Sequence, residues 1–162
     1  MTVMEAIQAR RSVRQYTDTP LAPEVLAQLS EAFRLAPSAR NAQDWQLIIV
    51  TDPELKKALH PSAMIAQAPA VLVACGLAQN MMPCGHRADS VDLSIGLSFV
   101  MLQAQALGLG TCWIGSHTEA QVRAALGLAD SVSIPAIMPV GYPAESPDAK
   151  PRKDVGDVVI CK

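Results

Sequence analysis

Apolar residues first recur at helical spacing in Val3, Met4 and Ile7, which predicts a short helix over residues 3–10. The next such run, Val25, Leu26, Leu29, Ala32, Phe33 and Ala36, begins after Pro23, a residue suited to a first helical position, and stops at Pro37. The run Leu47–Val50 carries no polar side chain, the pattern of a strand covered on both faces. Asp52-Pro53-Glu54 then combines a capping carboxylate, a helix-starting proline and a first-turn acid, predicting a short helix that ends near His60-Pro61. Residues 68–75 read as a second buried strand, and residues 76–88, with Gly, Pro, Asn and Met, as a loop or lid.

The longest helix is expected from Asp89 to Leu107. Val91, Ile95, Phe99, Leu102 and Ala106 form one stripe, while Leu93, Leu97, Val100 and Met101 cover other faces. A helix apolar nearly all round needs cover on every side, and in a small chain a partner often supplies part of it. A short third strand over 111–114 follows Gly108-Leu-Gly110. Thr118-x-x-Gln121 reads as a capping box opening a helix through Leu126. Residues 133–140 form a fourth strand and 155–160 a last one. The expectation is one α+β domain over residues 1–162, without internal repeat or linker.

Charge adds a feature that hydropathy does not show. Of 13 Lys and Arg, three lie in Arg10–Arg14 and three in Lys150–Lys153, and between Ala58 and Ala149 only Arg87 and Arg123 occur. In an extended segment alternate side chains share a side, so Arg10, Ser12 and Arg14 can converge on one anion, and guanidinium groups match phosphate oxygens in pairs. A solvated basic turn gives the same composition. Two such clusters either meet as one anion site or stay separate patches.

Half the residues are hydrophobic and mean hydropathy is +0.21, enough for a substantial core built with few aromatics. A net charge of -2 argues against general nucleic-acid binding. The start of the chain does not read as a secretory signal, and no apolar stretch reaches the length of a membrane span. Cys75, Cys84, Cys112 and Cys161 fit no disulfide scaffold and read as reduced thiols, which points to a cytoplasmic protein. Cys84 and His86 have no second close-spaced pair, so no metal site is expected. His117 reads as a surface loop residue, Trp45 and Trp113 as core, and Cys112 as a small buried hydrophobe. Ser38 lacks the Gly-x-Ser-x-Gly elbow of a hydrolase nucleophile.

Four segments together resemble the FMN-dependent nitroreductase family: Arg10-Arg-Ser-Val-Arg14, Pro37-Ser-Ala-Arg-Asn-Ala-Gln-Asp-Trp45, Gly108-Leu-Gly-Thr-Cys-Trp-Ile-Gly115, and Gly141-Tyr-Pro143 followed by Lys150-Pro-Arg152. The resemblance implies a nitroreductase-like α+β fold, with a central mainly antiparallel sheet flanked by helices. It also implies an intertwined homodimer with FMN at the interface and NADH or NADPH as electron donor. On that basis Arg10, Arg11, Ser12 and Arg14 would hold the phosphate and ribityl chain together with Lys150 and Arg152. Pro37, Ser38 and Asn41 would come from the second copy to line the flavin ring. Trp113, Ile114, Gly115 and Ser116 would pass beside the ring, with a backbone N–H toward N5. No catalytic acid, base or nucleophile is implied, because the flavin carries the chemistry.

The implied activity is ping-pong reduction of small electron-poor acceptors such as nitroaromatics or quinones. A flavin storage protein, reductive dehalogenation and flavin fragmentation remain open on the same scaffold. The chain departs from the family pattern in three ways. Asp44 stands where many members have Pro, Pro61 and Met64 occupy positions that supply polar flavin contacts in larger relatives, and the long helical insertion of those relatives is missing.

Overall fold

The computed structural model describes residues 1–162. Four strands, β1 (Trp45–Val50), β2 (Ala70–Gly76), β3 (Gly110–Thr111) and β4 (Ser133–Gly141), form one sheet in the order β1-β2-β4-β3, with every neighbouring pair antiparallel. Helices cover both faces, so the α+β architecture expected from the sequence is the one observed.

The buried strand β2 organises the molecule. Its side chains alternate between two separate cores, as a pleated strand requires. Ala70, Leu72 and Ala74 face one cluster, where Leu29 and Phe33 of α2 (Pro23–Arg34) meet Leu93, Leu97 and Val100 of α5 (Ala88–Ala106). Val71, Val73 and Cys75 face the other. There they pack with Leu59 of α3 (Pro53–Leu59), Ile65 of α4 (Ala63–Gln67) and Val122 of α6 (Glu119–Leu126). Every residue of β2 is buried, so the unbroken apolar run predicts its environment correctly. The edge strand β1 differs: most of it is only half-buried, because only β2 pairs with it.

Several local expectations hold, and others are corrected. The Asp52 carboxylate accepts the Leu55 N–H at 2.8 Å and caps α3. Thr118 makes no side-chain cap, so the capping box read at Thr118–Gln121 does not form. The capping box lies instead at Thr2 and Glu5, which open α1 (Val3–Ala9) with reciprocal bonds of 3.2 and 2.7 Å. The tail expected as a strand forms a single turn of helix, α7 (Val155–Val158), because no sheet edge of its own chain lies beside it to complete a ladder. The third strand is shorter than expected and continues only through the isolated bridge of Ile114 with Ile137. No helix is long and apolar enough to cross a membrane.

Candidate functional site

The arginine run leaves α1 in extended form and lies beside β3. Ser12 bridges Thr111 in parallel, and the Val13 N–H donates to the Thr111 carbonyl at 3.0 Å. Val13 is the inward-facing residue of the run, pressed against the bare Cα of Gly110: a Cβ there would lie 2.7 Å from that of Val13. The buried Tyr16 hydroxyl donates to the Val13 carbonyl at 2.6 Å, and burial pushes its ionisation far above the ordinary phenol range. The backbone of the run is thus fixed from both sides, while its polar side chains remain outside.

Those side chains line a cavity of about 670 Å³, in which Arg10, Arg11, Ser12 and Arg14 stand together with Lys150 and Arg152. The two basic clusters, 136 residues apart between Arg14 and Lys150, therefore meet. None of the five cations forms an ion pair with a carboxylate of the chain. The guanidinium groups of Arg11 and Arg14 donate only to nearby carbonyls, those of Gln8, Arg10 and Ser12. Glu145 and Asp148 line the same cavity. A donor set of this kind, cationic forks with no ion pair to a carboxylate of the chain, fits a phosphate monoester.

Trp113, Ile114, Gly115 and Ser116 extend from the same β3 edge. Ile114 is buried and exchanges two backbone bonds with Ile137, at 3.0 and 3.1 Å. Gly115 and Ser116 are exposed, and their N–H groups have no acceptor within the chain. The Ser116 carbonyl lies 3.1 Å from His60 Nε2. Trp113 is 36% exposed and is corrected from core to surface; it follows Cys112, which is buried beneath the run with its thiol pushed up by burial. Trp45 is half-buried, its ring centroid 5.1 Å from that of Phe33. His117 is half-buried, not a free surface residue: its Nε2 lies 2.8 Å from the Ile134 carbonyl, while Nδ1 is buried without a partner.

Pro37, Ser38 and Asn41 do not line the basic cavity. They belong to a loop at the opposite end of β1, and that loop is strained. Arg40, Asn41 and Gln43 all have φ near +55°, a region that favours glycine. Asp92 of α5 secures the loop by accepting the Ala39 N–H, and the Ser38 hydroxyl accepts the Gln43 N–H at 3.1 Å. The segment expected as a loop or lid closes over the same place. Asn80, Met81 and Met82 join Arg40 and Trp45 around a second cavity of about 220 Å³. Asp44 links the two segments, its carbonyl accepting the Leu77 N–H at 2.9 Å and its carboxylate the Asn80 amide at 3.3 Å. Sequence reading missed both Asp92 and the strain, since three non-glycine residues give no composition signal for positive φ. It also missed Glu145, an acid lying outside either basic cluster.

A family model described as "Putative TM nitroreductase" matches residues 2–162. A Methanothermobacter thermautotrophicus protein named "Putative NADH dehydrogenase/NAD(P)H nitroreductase" is 34% identical over 162 residues, covering 93% of this chain and 82% of the relative. The Bacillus subtilis "FMN reductase [NAD(P)H]" is 33% identical, covering 93% of this chain and 69% of the relative. The crystal structure of a nitroreductase family protein from Clostridium difficile 630 superposes with a TM-score of 0.90 at 28% identity, covering 99% of this chain and 98% of that one. By sequence over nearly its whole length, and by fold, the chain belongs to the nitroreductase family.

Proposed function

We propose that the chain is an FMN-dependent NAD(P)H oxidoreductase that reduces small electron-poor acceptors, nitroaromatics and quinones among them, and that it works as a homodimer. The observation that carries this reading is the convergence of Arg10, Arg11, Ser12, Arg14, Lys150 and Arg152 on one cavity without carboxylate pairing. These residues would hold the FMN phosphate and the adjoining ribityl chain. The segment Trp113–Ser116 would lie along the flavin ring, its exposed Gly115 and Ser116 N–H groups available to the polar edge or N5.

Pro37, Ser38 and Asn41 are remote from this cavity within the chain, which supports their contribution from a second copy. FMN supplies two-electron hydride chemistry when bound. The chain's part would be to hold the phosphate through the basic residues and to orient the ring through Trp113–Ser116. Cations near a reduced anionic flavin favour it electrostatically. Hydride transfer carried by the flavin asks for no acid, base or nucleophile from the chain.

The test is the visible spectrum of the freshly purified protein, before and after NADH or NADPH under argon, followed by addition of a quinone. Flavin bands that bleach and then return support the oxidoreductase reading. Bands unchanged by either nicotinamide would move the protein to flavin storage. A double Arg10→Ala, Arg14→Ala variant should fold but purify colourless; one that retains FMN would remove the phosphate assignment.

A further inference from the structure

Glu145 sits in the basic cavity as an apparent error of charge, a carboxylate among five cations that would repel a phosphate. Its hydrogen bonds explain its presence. One carboxylate oxygen, Oε1, accepts the backbone N–H groups of both Arg14 and Gln15, the latter at 3.2 Å. The chain between Tyr142 and Ala144 is tied to the arginine run by backbone bonds. Thr17 N–H donates to the Tyr142 carbonyl, and Ala144 N–H to the Gln15 carbonyl, both at 2.9 Å. Beyond Ala144, the carboxylate of Glu145 is the last hydrogen bond joining this segment to the run. The residues that follow bond only locally: Arg152 donates to the carbonyls of Lys150 and Pro151. Lys150 and Arg152 therefore take their place opposite Arg10 and Arg14 through Glu145.

We infer that Glu145 is a positioning residue for the flavin phosphate, clamping the Lys150–Arg152 segment to the arginine run so that both basic clusters reach one anion. The inference rests on the reading of the cavity as the FMN phosphate site. Two effects of the carboxylate oppose each other. Its charge weakens anion binding, and its bonds assemble the site. The structure favours the second, because Oε1 is already engaged by two N–H donors and a hydrogen-bonded carboxylate presents less of its charge to a neighbour. Asp148 lines the same cavity without any hydrogen bond to the run, and serves as the comparison.

The experiment measures FMN and riboflavin dissociation constants, by flavin fluorescence, on the flavin-stripped full chain and its Glu145→Ala, Glu145→Gln and Asp148→Ala variants. Riboflavin lacks the phosphate, so the ratio of the two constants isolates the phosphate site from general damage. Glu145→Ala is expected to weaken FMN about tenfold or more, the scale of losing a charge-assisted bond, with riboflavin changed less than about twofold. Glu145→Gln, which keeps an amide oxygen as acceptor, should restore most of the discrimination, and Asp148→Ala should bind FMN as tightly as the parent or tighter. Glu145→Ala binding FMN as well as or better than the parent would overturn the inference, as would equal losses for FMN and riboflavin. A parent protein that does not distinguish FMN from riboflavin would instead remove the phosphate site itself, and the clamp with it.

Discussion

The Ala39 N–H donates to both carboxylate oxygens of Asp92, at 3.0 and 3.1 Å, and joins the strained 37–44 loop to the N-terminal part of the longest helix. Asp92 is 9% exposed, so this bond is made largely out of water. The loop holds three non-glycine residues at positive φ, each costing on the order of 1–3 kcal/mol. Without its anchor the loop is expected to relax toward ordinary backbone angles. Asp92→Ala should destabilise the protein by about 2 kcal/mol, the range for a hydrogen bond to a charged group. It should also weaken FMN binding, if Ser38 and Asn41 reach a flavin across the proposed dimer. Urea unfolding followed by circular dichroism checks the first, and flavin titration the second. An unchanged midpoint would show that the strain is held elsewhere.

Asp89 predicts a pH dependence. Burial raises its pKa, but Arg87, Ser133 and the Ser90 N–H together hold the carboxyl below its usual range. A group with a lower pKa folded than unfolded binds more protons in the unfolded state there. Its contribution is present above the unfolded value, near pH 4, and is lost as pH falls through the folded one. Thermal melts of the parent between pH 5 and 3 should fall more steeply than those of Asp89→Asn. The variant should already be less stable at neutral pH by about 2 kcal/mol. Parallel curves would show that other carboxylates carry the acid loss.

The fold and the basic half of the candidate site are legible in the sequence for a common reason: both rest on local patterns. The apolar run of β2 and the proline starts of α2 and α3 each encode their surroundings in consecutive residues. So do the arginine run and the Lys150–Arg152 cluster. On α5, by contrast, the core takes Leu93, Leu97, Val100 and Ala104 and leaves the stripe from Val91 to Ala106 half-buried or exposed. What escapes depends on partners distant in sequence. The tail 155–160 has the composition of a strand, but β-structure needs an edge, and none lies beside it in its own chain. Thr118 has the spacing of a cap, whereas Thr2, eight residues before the arginine run, makes one. Glu145 and Asp92 act on backbone groups 130 and 53 residues away, and nothing in their immediate neighbours marks them.

Gly110 is predicted to be intolerant of any side chain. A Cβ would approach all three side-chain carbons of Val13, at 2.7 to 2.8 Å, and Val13 is held in place by Thr111 and Tyr16. Gly110→Ala therefore displaces the arginine run or distorts β3. Overpacking of this kind costs about 1–3 kcal/mol. Because Arg10 to Arg14 move with Val13, FMN affinity should fall by about tenfold, in step with the expected shift of the run. A combined Gly110→Ala, Val13→Gly variant should recover part of that affinity by making room, since alanine at 13 would keep the Cβ that lies 2.7 Å away. A single variant with parent-like FMN binding would show that the run tolerates the displacement.

Phe99 is 42% exposed in the middle of α5. Val91 on the same helix and Val3, Met4 and Ile7 on α1, which lies nearby, are exposed as well. An apolar face of this size across two adjoining helices is more than a lone surface residue and asks for cover. The proposed homodimer supplies it, and also explains why the 37–44 loop lies away from the basic cavity of its own chain. Phe99→Glu places a charge on that face, and desolvating it unpaired should shift the protein to monomer at micromolar concentration. Sedimentation velocity reads the association state, and the visible spectrum reads retained FMN. Dimer and flavin are expected to be lost together, because the proposed site draws residues from both copies. A parent protein that sediments as a monomer while holding FMN would refute the shared site. A Phe99→Glu dimer that is still yellow would place the interface on another face of the molecule.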